Sequence, residues 1–168
     1  MNGRLMLRIV VCVVLLLTAS PLALSHAAES GEFKGNWIAN GTRTPFSFGD
    51  DRQVFTFKIA GHVSLQTSLA RKKDYWSECV GLVDSVTGLT GRCVWKDLAG
   101  PEIYITVQSD RLQQGSLVTG TIVGGSGKLA GISGDLTFNW SSVISLTEDG
   151  VVTVTGETRN LAGHYRIP

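Results

Sequence analysis

Histidine, cysteine and net charge are all scarce in this chain, and each shortage removes a class of function. Three histidines occur in 168 residues. His26 lies in the leading segment, and His62 and His164 have no neighbouring carboxylate or cysteine at ligand spacing, so no metal site is expected. Fifteen basic residues face 14 acidic ones. Without Arg4 and Arg8 the balance is 13 to 14, which leaves no field to collect nucleic acid or an anionic membrane. Arg71, Lys72 and Lys73 form the single basic run, the length of a solvated loop rather than a binding patch. A phosphate-binding loop is also missing. Gly127-Lys128 is preceded by Ile122 where the motif needs glycine and followed by Leu129 where it needs Ser or Thr, so no nucleotide or other cofactor is expected. Beyond residue 27 no stretch repeats apolar residues at the spacing of a helix.

The first 27 residues read as an export signal: Arg4 and Arg8 as its positive start, residues 9–17 as its apolar centre, and Ser25-His26-Ala27 as a small-x-small cleavage site. The uninterrupted apolar run is shorter than the ~20 residues that span a bilayer, and Pro21 would break a helix that continued beyond it. Residues 28–168 are then a single exported domain, secreted or periplasmic, with no membrane span. Of the three cysteines, Cys12 leaves with the signal. Cys79 and Cys93 remain, an even count in an oxidising compartment. A turn centred on Val86 in Ser85-Val86-Thr87 places Cys79 directly opposite Cys93, within disulfide reach. A turn centred on Thr87-Gly88 misses that register and leaves two reduced, buried thiols.

What the chain does have is alternation punctuated by glycine. Residues 28–36 are small and polar and read as an unpaired leader, so that Trp37 begins the first strand. Residues 40–45 and 49–51 read as turns. Residues 54–59 alternate Phe55, Phe57 and Ile59 against Thr56 and Lys58, Gly61 reads as a bulge or bend, and the alternation resumes from Val63 to Ser68. Further strands are expected at 75–86, 89–96, 103–107, 117–123, 132–146 and 151–164, the last two joined by a tight turn at Glu148-Asp149-Gly150. About eight strands at short regular spacing, with glycine-rich turns and no helix, define an all-β fold. Closure into an antiparallel barrel is expected over a sandwich, because the last two strands are long and carry glycines where a coiled sheet bends.

The pattern C-x-G-x-x-D-x-x-x-G-x-x-G-x-C-x-W-x-D at residues 79–97, with GGSGKLAGISG at 124–134 after it, resembles the allene oxide cyclase and dirigent-like β-barrels, particularly their exported bacterial relatives of unassigned role. The second motif departs from the usual dirigent-like form at Ser126 and Leu129. The resemblance implies a closed, calycin-type antiparallel barrel of eight strands with an apolar interior, and a periplasmic setting. Gly35-Asn36-Trp37 is similar to the G-x-W that opens lipocalin and avidin barrels, where a late-strand arginine covers the tryptophan; Arg159 or Arg166 would take that part here.

The aromatic residues are the candidate binding surface. Trp76, Trp95, Tyr104 and Trp140 are the expected contacts for a small, mostly apolar ligand inside the barrel, against the default for a small barrel, in which such residues fill the lumen as core. Strand parity puts Trp95 with Cys79 and Cys93 on one face, and Trp76 and Glu78 on the other. A cyclase- or isomerase-type enzyme would need an acid and a base in the cavity, for which Glu78 and His62 are the candidates. A structural or partner-binding envelope protein is the third reading, and the sequence leaves oligomeric state open.

Overall fold

The computed structural model describes residues 28–68, 71–98, 100–110 and 115–168; the expected export signal and Cys12 fall outside the described residues. Eight strands run in chain order: β1 (Glu29–Ser47), β2 (Gln53–Thr67), β3 (Lys72–Asp84), β4 (Gly88–Asp97), β5 (Glu102–Ser109), β6 (Leu117–Gly125), β7 (Ser133–Glu148) and β8 (Val151–Ile167). Each pairs antiparallel with the next, and β1 closes on β8, giving a barrel without a free edge. Among the described residues the helical structure is one 3-10 turn, Gly127–Leu129, in the β6–β7 connection. The glycine motif there is thus a strand connection.

Alternation decides which side chains enter the lumen. In β3, Tyr75, Ser77, Cys79 and Val83 are buried, whereas Trp76, Glu78, Val80 and Leu82 face out; Asp84, at the strand end, is buried as well. In β5, Ile103, Ile105 and Val107 turn inward and Tyr104 outward. Burying a large apolar side chain contributes roughly 1.5–3 kcal/mol, so a one-residue slip of any strand would forfeit several such terms at once.

Three expectations are corrected. Residues 29–36 are no leader: Glu29 already pairs with Ile167 and Phe33 is buried at 4% exposure. Residues 29–35 pair with β8 at the far end of the chain, which local polarity does not reveal, and residues 33–36 pair with β2 as well. Residues 40–45 form no turn either, since β1 continues through Pro45 to Ser47. Pro45 is tolerated because β1 pairs with β8 only as far as Arg43, leaving β2 as its one neighbour at that point. Gly61 is not a bulge, because β2 holds an unbroken register with both neighbours. A Cβ there would fall 2.0 Å from the Ile38 carbonyl oxygen, so glycine permits close backbone approach. The bulge in this wall lies where β1 meets β8, between Gly35 and Ile38; there the Trp37 amide donates to Thr158 Oγ1 at 2.9 Å. The expected β7–β8 turn is present. Asp149 and Gly150 both take positive φ, 48° and 77°, as a two-residue hairpin turn that matches strand twist requires.

Candidate functional site

The turn between β3 and β4 is centred on Val86, and Cys79 and Cys93 are therefore direct cross-strand partners with Cα atoms 4.1 Å apart, joined by a disulfide. Both sulfurs face inward and their residues are 2% and 3% exposed. The bond is part of the lumen wall.

That lumen is divided. On β2 the inward residues run Ile59, Gly61, Val63, Leu65; on β3, Cys79, Ser77, Tyr75; on β5, Val107, Ile105, Ile103. The first residue of each series lines one cavity and the last lines another, while Val63, Ser77 and Ile105 between them border neither. With Leu136 and Leu161 these form a closed waist in which every residue is 2% exposed or less. Gly120 makes the packing possible: a Cβ there would lie 2.9 Å from Leu136 Cγ and Cδ1, so Leu136 occupies the space that a side chain would need.

The chamber on the side of the β1–β2, β3–β4 and β7–β8 hairpin turns has a volume of about 110 Å³ and an almost wholly apolar wall, with Trp37, Phe57, Phe138, Trp140 and Val154 around the disulfide. Trp37 meets Phe138 edge to face with centroids 5.8 Å apart, and Trp140 leans on Trp37 at 5.2 Å. Gly156 and Gly81 set two of these rings: an added Cβ would fall 2.3 Å from Trp140 Cζ2 and 2.6 Å from the Phe57 ring. Polar groups are few. Among the described residues Arg43 is the one charged side chain in this wall, and no carboxylate accompanies it. Its guanidinium lies 5.2 Å over the Phe55 ring and Nη2 donates to Ser145 Oγ at 3.2 Å. Arg43 Nε and Trp37 Nε1 are buried and have no acceptor among the described residues. A buried donor left unpaired costs about 1–3 kcal/mol.

The chamber at the opposite end, where β1 begins and β8 ends, is wider, about 370 Å³. Its floor is apolar, with Phe33, Leu65, Trp95 and Ile122, and its rim mixes Arg71, Lys73 and Lys128 with Glu29 and Asp97. Tyr75 packs on Trp95 at 6.1 Å. Burial, with smaller contributions from Asp97 and Tyr165, pushes the Tyr75 phenol up to about 12, so it stays protonated across the physiological range. Tyr165 donates to Glu29 Oε1 at 3.0 Å, and burial raises its phenol as well.

The four aromatic residues expected to surround one ligand are thus separated. Trp95 and Trp140 lie in the lumen but in different chambers. Trp76 and Tyr104, 48% and 37% exposed, stand on the outer wall. His62 and Glu78 also face solvent: His62 Nε2 is 3.6 Å from Asp74 Oδ1, and Glu78 Oε1 is 3.8 Å from Lys96 Nζ. Neither borders a chamber, so the acid and base sought for a cavity enzyme are absent from the cavity. Arg159 and Arg166 are exposed as well; Arg159 pairs with Glu157 at 3.6 Å, and the tryptophan of Gly35-Asn36-Trp37 is covered by Phe138 and Trp140 instead. Sequence reasoning missed Arg43, hidden in a segment read as a turn, and Trp37, Phe57 and Phe138 stand outside the four contacts it expected.

Among the described residues no group of three or more His, Cys, Asp or Glu comes together as a metal would need, and no helix is long and apolar enough to cross a membrane. No protein-family model, no curated protein and no solved structure matches the chain.

Proposed function

We propose that this barrel is an exported binding protein that holds a small, mostly apolar molecule in the chamber on the hairpin side. The supporting observation is the wall itself, in which Trp37, Phe57, Phe138, Trp140 and the Cys79–Cys93 disulfide surround unfilled space above a packed waist. Sites for small ligands combine apolar enclosure with a few polar groups in this way. The disulfide supports a location outside the reducing cytosol, in keeping with an export signal at residues 1–27. The reaction catalysed by allene oxide cyclases is not part of this reading, since among the described residues no histidine or carboxylate borders the chamber. Titration with toluene, monitored by methyl NMR, tests it. Binding shifts the Val83, Val107, Val118 and Val154 methyl resonances and leaves Val123, on the outer wall, in place. Unmoved lumen methyls at saturating toluene would refute the proposal.

A further inference from the structure

The chamber wall carries a cation without a counter-charge. Fourteen of the 15 lining residues are uncharged, and the exception is Arg43. Arg43 makes no ion pair with any described residue; its guanidinium lies over the Phe55 ring and donates to the hydroxyl of Ser145. Its Nε–H is buried without an acceptor, and so is the indole N–H of Trp37 in the same wall. Donors therefore outnumber acceptors here, and the excess is positive. The other chamber differs: its three cations share the rim with Glu29 and Asp97.

We infer that the chamber's ligand is a small organic acid, a single ring or branched apolar body whose carboxylate is taken by Arg43. This rests on the proposed binding function and specifies its ligand class. Arg43 pairs with Phe57 on β2 and Val152 on β8, near the hairpin end of the barrel, so a carboxylate there keeps partial access to water while the ring descends towards Trp37 and Phe138. A guanidinium presents Nε–H and Nη–H as a planar fork that fits the two oxygens of a carboxylate. Size sets the other limit. Apolar cavities of about 150 Å³ hold one benzene, and the chamber, at about 110 Å³, is smaller, so no more than one ring fits, its acid group stays at the open mouth, and the waist of Val63, Ile105, Leu136 and Leu161 stops a long chain.

Benzoate and nitrobenzene share shape and acceptor oxygens and differ in net charge, which makes them a matched pair of probes for calorimetry on the full chain. Benzoate is expected to bind at least tenfold more tightly than nitrobenzene at neutral pH, with the preference lost in Arg43→Met. Trp37→Phe, which keeps a ring but removes the N–H, weakens both probes. If nitrobenzene binds and benzoate binds no better, or if a folded Arg43→Met keeps the benzoate preference, the inference is overturned while the binding chamber stands. If neither probe nor toluene binds, the chamber is not a ligand site and both readings fall. The comparison of the two probes on the unaltered protein decides the matter even where Arg43→Met fails to fold.

Discussion

Arg52, in the β1–β2 connection, holds the Asp84 carboxylate at the end of β3, donating from Nε to both oxygens at 2.9 Å and from Nη2 to Oδ2. The same carboxylate accepts the Val86 amide at 2.8 Å, so one aspartate ties the β3–β4 turn to the neighbouring connection. Arg52 also lies 4.7 Å over the Phe48 ring. Val83, beside Asp84, lines the apolar chamber, and the pair therefore braces its rim.

The hydrogen bonds from Arg52, helped by the Val86 and Thr87 amides and by the charge of Arg52, hold the Asp84 carboxyl well below the usual carboxylate range. A group whose pKa falls on folding adds stability above its unfolded pKa of about 3.9, and that contribution is lost as pH drops from there towards the folded value. Asp84→Asn is therefore expected to be less stable than the unaltered protein at pH 7, by a margin that stays constant down to about pH 5 and narrows below about pH 4. Urea melts across this range check it. A margin that widens in acid would contradict the assignment.

The waist is the second quantity to test. Leu161 is 1% exposed, and Leu161→Ala is expected to cost about 2–5 kcal/mol in denaturant unfolding. Removing the side chain also joins the two chambers, so hexylbenzene, too large for the hairpin-side chamber of the unaltered protein, should reach the Val83 and Val154 methyls in the variant. A fall in stability below about 1 kcal/mol would mean that Leu161 does not pack the waist.

Cross-linking residues 14 apart in sequence adds about 3 kcal/mol in the chain-entropy description. Reduction before a urea melt should lower stability by about that amount. Thiol titration of oxidised, denatured protein lacking residues 1–27 should find no free thiol. Two free thiols would remove the bond from the account.

Much of the barrel is legible in the sequence because it is written in period two. The register that opposes Cys79 to Cys93 depends on the position of one turn, and the inward run Ile103, Ile105, Val107 comes from simple alternation. What fails is non-local. The start of β1, residues 29–32, pairs only with β8, more than 120 positions away along the chain, and its polar composition describes only its outer face. Pro45 looks like a turn residue because nothing local announces that β8 stops pairing at Arg43. The site is legible in kind but not in membership. Parity already sets Trp76 and Trp95 on opposite faces, so the two could not line one cavity. The waist cannot be read at all, because it arises from Leu136 filling the notch left by Gly120 on the next strand, a match between positions whose pairing only the closed barrel defines.

Crystals of the protein soaked with bromobenzene put the central claim to its most direct test. Anomalous scattering should place the bromine between Trp37, Phe138 and Val154, inside the barrel and on the hairpin side of the waist. A lumen without bromine at full soak, with signal confined to outer-wall residues such as Trp76, would contradict a binding chamber.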